Sequence, residues 1–304
     1  MLDIPTREDT PENAFTVSRS RLATWNTCQY RHYLNYTLEK RNYSNGAMQL
    51  GTAIHKLAQD FYDYWLGRPV GYLDNSFFLD RMDSLFEDAT YEQELIAMNA
   101  TRAMARYPEF AAIHDDFIPL GTEVETFAPL RLPTGEQLYT PDDRPVYLHV
   151  ILDLVVEKMG QMGFMDHKSG TKFWTVENAY FDGQLLFYFI VLHLLGVEAE
   201  FAIINNINTY PYKKAVGLDK LYARQTVYRS KIHIEHQLQN IITVVRQILN
   251  LKTFAKNLDK HCAFCPFQDV CDTELRGLDS SGVIEGLGLP EMTIDFDLGL
   301  VDDD

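Results

Sequence analysis

Three side chains near the middle of the chain have the types and spacing for metal-assisted chemistry: Asp153, Asp166 and Lys168. Asp153 interrupts the apolar run ILDLVV, where an isolated charge is costly unless something positive compensates it. Asp166 and Lys168 are two residues apart in GFMDHKSG, so on a strand they project to the same face. If the two runs pair as a hairpin, both acids converge, and they must share a cation or shift their pKa values strongly. A lysine beside them can hold or deprotonate a water. The plainer alternative is a surface salt bridge from Lys168 to either acid beside a coincidental buried acid, because Asp-X-Lys alone is common.

A second set of groups is made of thiols. Cys262, Cys265 and Cys271 form C-x2-C-x5-C in HCAFCPFQDVC, and Cys28 stands far upstream, so every cysteine in the chain is accounted for. Reduced thiols clustered in this way imply a metal. A four-cysteine zinc site fits the C-x2-C spacing. Two further pairs invite attention. Gly51 and His55 open a helix, although a histidine bordering an apolar stripe is ordinarily a packed one. Gln184 and Tyr188 lie at i and i+4 and so share a helical face. Glu123 and Glu125, two apart in a strand ahead of Asp153, share a face as well.

The elements that must carry these groups can be read from periodicity. Residues 1–17 read as a flexible lead, and Ser18 or Ser20 can cap a helix through LATWNTCQYRHYLNY. A helix from about Gly51 to Leu66 carries Ile54, Leu57, Ala58, Phe61 and Trp65 as an apolar stripe. Alternation in TEVETFAPLRL, YLHVILDLVVEK and MGFMDHKSG predicts a strand meander with a hairpin at its centre. A helix over 176–195, a strand in FAIINNINTY and a long helix over 218–250 complete the pattern. The fold class is α/β: a mixed central sheet flanked by helices, with a helical N-terminal region and a C-terminal cysteine cluster. The expected divisions are a lead over 1–17, a helical region over 18–120, a core over 121–272 and an acidic tail over 273–304.

Composition narrows the partners. The 304 residues are 46% hydrophobic, enough for a full core, and carry 27 basic against 43 acidic residues, a net charge of -16. That argues against a uniformly basic nucleic-acid binder. The charge is segregated, however: residues 17–42 carry +4 and residues 211–260 carry +7, whereas residues 272–304 carry -9. A basic groove is therefore compatible with the total, and two solvated helical faces would look the same. The longest apolar run, 185–197, is too short to span a membrane. An acidic, polar start without an apolar stretch is unlike a signal peptide, and four cysteines without an export signal point to a reduced, cytoplasmic protein.

Taken together, an acid in an apolar strand, a turn, Asp166-X-Lys168-Ser-Gly and a following amphipathic helix resemble the PD-(D/E)XK nuclease superfamily in its RecB-like branch. Asp153 matches the first acid and Asp166 with Lys168 the (D/E)XK element. Gly51 to His55 matches Gly-x-x-x-His, and Gln184 with Tyr188 matches Gln-x-x-x-Tyr. One of Glu123 and Glu125 matches the auxiliary acid, with Glu125 preferred. The chain departs from the pattern in lacking a Pro-Asp dipeptide and in having Val150 where a glycine often precedes the first acid. One upstream cysteine with C-x2-C-x5-C resembles the iron-sulfur members, which include CRISPR-associated adaptation exonucleases and AddB-type recombination nucleases.

This resemblance implies a restriction-endonuclease-like core and a DNA exonuclease acting at single-stranded ends. It implies Mg2+ or Mn2+ held by His55, Asp153, Asp166 and the His167 backbone carbonyl, with Lys168 positioning or activating water and Gln184 and Tyr188 orienting the strand. It also implies a 4Fe-4S cluster on Cys28, Cys262, Cys265 and Cys271. Arg19, Arg21 and Arg31 would contact DNA, and a recombination or CRISPR-type protein would be a partner. A non-catalytic iron-sulfur or zinc DNA-binding subunit is the alternative.

Overall fold

The computed structural model describes residues 4–40, 46–86 and 89–287. Among the described residues there are six strands: β1 Phe15–Ser18, β2 Ile118–Pro129, β3 Val146–Lys158, β4 Gln161–Gly170, β5 Phe201–Asn208 and β6 Tyr222–Val227. The α-helices begin with α1 Arg19–Thr27, α2 Gln29–His32, α3 Gly46–Trp65, α4 Tyr91–Met104, α5 Tyr107–His114 and α6 Val176–Tyr180. They continue with α7 Gly183–Leu194, α8 Leu218–Leu221, α9 Lys231–Asn250, α10 Gln268–Leu275 and α11 Ser281–Gly286. The chain divides into two compact units, 1–22 with 50–251, and 23–49 with 252–304.

In the first unit all six strands form one mixed sheet, as the alternation predicts. β3 is its longest strand. One edge of β3 pairs antiparallel with β2 over nearly its whole length. Its other edge is shared: residues 146–149 pair parallel with β1, and residues 154–158 pair antiparallel with β4. The β3–β4 hairpin turns at Met159 and Gly160, both at positive φ, the geometry that matches strand twist in a two-residue hairpin. Pairing stops after Leu154 and Met165. From there β4 continues beside β5, parallel, as far as Gly170. The strands therefore fork at Asp153 and Asp166.

Helices cover both faces. On one side Ile54, Leu57, Ala58 and Phe61 of α3 bury into a cluster with Met104, Tyr107, Leu154, Val156 and Met165. Phe164, which must point the opposite way from Met165, packs edge to face on Tyr188 and Phe189 of α7. Leu185 to Leu192 of α7 are all buried, as expected of a helix that is apolar all round. Asp182 caps α7 by accepting the Leu185 N–H at 2.7 Å.

Four local readings change. Residues 218–250 are not one helix: α8 ends at Leu221, and Tyr222–Val227 pairs antiparallel with β5 before Ser230 caps α9. Only Tyr222 and Val227 at the ends of YARQTV are buried, and the polar residues between them dilute its alternation. Phe15–Ser18, the end of the expected lead, forms β1. The helix over 176–195 is interrupted at Phe181 and Asp182, where the Asp182 cap starts a new helix. The helix expected through residue 36 breaks at Cys28, whose backbone is extended. Of the acidic tail, residues 288–304 lie outside the described residues, as does Arg41.

A buried polar network locks β4, β5 and β6 together. Arg224 on β6 pairs with fully enclosed Asp115 and donates to Tyr62 Oη (3.0 Å), Tyr107 Oη (2.9 Å) and Asn205 Oδ1 (3.2 Å). Removing one partner of such a pair leaves a buried charge uncompensated. Asp115→Ala is therefore expected to lower the unfolding free energy by about 3–5 kcal/mol, and Asp115→Leu with Arg224→Met to recover much of that loss. Denaturant unfolding followed by circular dichroism checks both; a single-variant loss below about 1 kcal/mol contradicts the network's role.

Candidate functional site

The fork brings the predicted acids together. Asp153 accepts the His167 backbone N–H at 2.7 Å, so its carboxylate takes the place of a ladder bond where the strands part. Asp166, fully buried, holds Lys168 Nζ at 2.7 Å. From α7, Gln184 Nε2 donates to Asp166 Oδ1 (2.9 Å) and to Tyr188 Oη (2.5 Å), while Lys168 Nζ donates to Gln184 Oε1 (2.8 Å). Asp166, Lys168, Gln184 and Tyr188 thus form one hydrogen-bonded group, as the two spacings require.

His55 enters from α3, its Nδ1 3.4 Å from Asp153 Oδ2. The His167 backbone also hydrogen-bonds the His55 ring, favouring its protonated form. Glu123 completes the group. Its φ is +45°, a left-handed conformation uncommon outside glycine and concentrated at functional sites. Among the described residues, ligand atoms of His55, Glu123 and Asp153 all lie within 4.8 Å of one another. The structure thus brings Glu123 to the acids, whereas Glu125 sits 2.7 Å from His149 Nε2. Simple alternation gave both the same face, and only the irregular backbone separates them.

The electrostatics are those of an over-charged enclosure. Burial, and then the charge of Asp166, hold the Asp153 carboxyl well above the usual carboxylate range. Burial raises Asp166 too, opposed by Lys168. Glu123 is raised by burial, opposed by His55. Burial pushes the His55 imidazole down, against the pull of Asp166 and Glu123. His167 is a different case. Its ring is buried and kept well below its ordinary pKa by desolvation, stacked on Tyr62, with Nδ1 2.8 Å from Asn205 Nδ2. The side chain is thus occupied by packing, and its backbone is what faces the site.

Carboxylate oxygens and one imidazole are a donor set suited to Mg2+ or Mn2+. Acids whose ionised form burial disfavours fit a site completed by a cation. Asn205 was not foreseen; nothing in FAIINNINTY distinguishes it from its neighbours. Of the basic residues, Arg19 lies beside α7, where a Cβ on Gly183 would fall 2.8 Å from its Nη2. Arg21 is turned to β1, donating to the Thr16 carbonyl at 2.9 Å and covering the Phe15 ring at 4.1 Å.

In the second unit the four cysteines line one cavity of about 280 Å³. Cys28 stands at the N-terminus of α2, Cys262 lies within the 3-10 helix Lys260–Phe264 and Cys265 caps it, and Cys271 lies on α10. Arg31, Lys256 and His261 share the lining, so the structure places Arg31 at the thiols. Burial raises Cys265 and pushes Cys271 up to about 11, with neighbouring thiols adding to both. Arg31 opposes the rise at Cys265 and Lys256 at Cys271. Glu274 ties the walls, accepting from Tyr30 Oη (2.5 Å), Ser280 Oγ (2.6 Å) and Lys256 Nζ. Thiols raised in this way ionise readily only against a metal, and the donor set fits a thiophilic one.

No helix of the described residues is long and apolar enough to cross a membrane. No curated protein matches the chain. Among solved structures, that of SSO0001 aligns with 11% identity over 78% of this chain and 91% of its own, at a TM-score of 0.34, a likeness too slight to carry an argument. The family comparison is broader, for the model of the PD-(D/E)XK nuclease superfamily matches residues 16–272. With both acids, the lysine and the sheet that positions them inside that span, the chain belongs to the PD-(D/E)XK nuclease superfamily, whose members are metal-dependent nucleases.

Proposed function

We propose that the protein is a deoxyribonuclease that shortens DNA from single-stranded ends, with a structural 4Fe-4S cluster held by Cys28, Cys262, Cys265 and Cys271. The observation that carries the nuclease reading is the convergence of Asp153, Asp166, Lys168 and Gln184 at the β3–β4 fork with His55 and Glu123 beside them. Held by His55, Glu123, Asp153 and Asp166, with the His167 carbonyl adjoining, a divalent cation would supply Lewis-acid polarisation of the scissile phosphodiester and of water. Lys168, fixed between Asp166 and Gln184, orients the attacking water and offsets charge growing on the phosphoryl oxygens. Gln184 holds Asp166 and Lys168 in register, and Tyr188 fixes Gln184. Arg19, beside Gly183, is placed to meet a backbone phosphate near α7.

For the thiols, the four cysteines lining one cavity support a shared metal centre, which we assign as the cluster on the resemblance of the Cys28 and C-x2-C-x5-C pattern to iron-sulfur nucleases. A reducing, cytoplasmic compartment suits four unpaired cysteines. A recombination or CRISPR-type assembly is the proposed context.

Protein purified without oxygen is expected to degrade end-labelled DNA with Mg2+ or Mn2+, and Asp166→Ala to lose at least about 100-fold in rate. Equal cleavage by the variant sinks the assignment. Retained DNA binding without cleavage by wild type would make the protein a non-catalytic subunit.

The acids also set a stability signature. Because Asp153 and Asp166 titrate higher in the folded state than unfolded, the folded chain binds more protons between the unfolded value of ~3.9 and the raised values. Metal-free stability from these groups therefore falls as pH rises through that window. Depressed His55 acts in the opposite sense, so the comparison is made against Asp153→Asn. That variant, metal-free at pH 8, is expected to melt higher than wild type and to gain little from Mn2+, which raises the wild-type Tm. A variant that melts lower and responds fully to Mn2+ contradicts the reading.

Iron analysis and visible absorption address the cluster. Wild type is expected to carry iron and sulfide, and Cys28→Ala to lose both together with thermal stability. Stoichiometric zinc in place of iron, or full stability after iron loss, refutes a structural cluster.

A further inference from the structure

The chain between Lys168 and Gln184 leaves the site along β4 and returns to it along α7, its two ends joined by the 2.8 Å hydrogen bond between these side chains. On this excursion it presents rings to solvent. Phe181 is 79% exposed and Tyr180 47% exposed, and the two rings meet edge to face at 5.1 Å. Tyr228, just past β6, is 66% exposed, and Ile232, in the first turn of α9, 79%. Arg229 draws these segments together: its guanidinium donates to the Ala179 and Tyr180 carbonyls and lies 4.7 Å from the Tyr180 ring centre. The His233 ring is 6.4 Å from Tyr180. Scattered apolar side chains on a surface need no special cause, whereas a convergent group of them does.

Position and charge together select the occupant. Phe181 precedes Gln184 by three residues, and Gln184 touches Asp166 at 2.9 Å. At roughly 3.4 Å of rise per nucleotide of a stacked strand, the rings lie within a few nucleotides of the metal-binding acids. The patch is close to neutral. The charges of Lys172, Arg229 and Lys231 are matched by those of Glu177, Asp182 and Glu235, and Lys231 lies 3.9 Å from Glu235. Such a surface is poorly suited to capturing phosphates by charge and well suited to the faces of bases, which stack on rings with little regard to sequence. A duplex hides those faces; a single strand offers them.

We propose that Tyr180, Phe181 and Tyr228 form a base-stacking platform for single-stranded nucleic acid, continuous with the catalytic centre. This rests on the nuclease reading and adds to it the part of the strand that is gripped: the bases, outside the cleavage point.

The test compares two fluorescent strands of equal length, oligothymidylate and a fully abasic strand, bound to full-length protein carrying Asp166→Asn to prevent cleavage. Phe181→Ala and Tyr228→Ala are each expected to weaken oligothymidylate binding about tenfold, to change abasic binding by less than about twofold, and to keep this difference at high salt. Both residues are largely exposed, so melting temperatures should be unchanged. Unaltered oligothymidylate affinity, an equal loss on both strands, or altered self-association with DNA binding intact overturns the platform. The last result would assign the patch to a protein partner. The two readings fail separately: wild type that cleaves while ring variants bind normally removes the platform alone. Wild type that never cleaves, with base-dependent binding lost in the ring variants, removes the nuclease reading alone.

Discussion

Two carboxylates enclosed at a fork in a sheet set the terms for the rest of the first unit. Unit charges ~4 Å apart at an effective dielectric of ~20 interact by about 4 kcal/mol, and each buried acid adds its own desolvation cost. Lys168 offsets one of them directly. The other, Asp153, has a backbone N–H and a half-buried imidazole. This arrangement leaves negative charge in excess, which is what a cation-binding site requires before its ion arrives. It also explains why the hairpin opens where it does: a ladder continued past Leu154 would have consumed the His167 N–H that Asp153 now accepts.

Holding such a site open needs rigidity behind it. β4 supplies the Asp166 and Lys168 side chains on one face and the His167 ring on the other. That ring is clamped by Tyr62 and Asn205, Asn205 by Tyr107 and Arg224, and Arg224 by Asp115. The chain of contacts runs from a buried ion pair to the backbone that faces the metal-binding acids. Its stability contribution could be matched by apolar packing. What packing could not supply is a fixed direction for the His167 peptide, whose N–H must meet Asp153 while the same residue's backbone hydrogen-bonds the His55 ring.

Legibility in the sequence followed the range of the interaction. Asp166 with Lys168, and Gln184 with Tyr188, were readable because each pair is set by the period of a single element. Their convergence followed from the meander and the helix after it. The thiols were readable as a group because reduced cysteines at that spacing seldom serve anything but a metal. Glu123 was not, since an ideal strand treats it and Glu125 alike and the left-handed backbone that distinguishes them has no glycine or asparagine to announce it. β6 was hidden by the polar residues between its buried ends, and β1 by its length of four residues. Arg224, Asp115 and Asn205 come from separate elements and meet only after the sheet has formed.

A chain of net charge -16 is an awkward partner for a polyanion, and its awkwardness constrains how it can grip one. Counterion release from phosphates scales with the number of basic contacts, and here Arg21 is turned to β1, Arg229 to backbone carbonyls and Arg224 to the interior. At physiological salt the repulsion from distant charge is screened beyond about 8 Å, so a bound strand feels mainly the charges nearest to it. A binding term that does not depend on charge then matters more than it would in a basic nuclease. Stacking on exposed rings is such a term, and unlike phosphate contact it distinguishes an unpaired strand from a duplex. On the proposed reading, the acidity around the metal site and recognition of unpaired bases have a common physical origin: where the net charge weakens contact with phosphates, rings beside the site supply a grip that does not depend on charge.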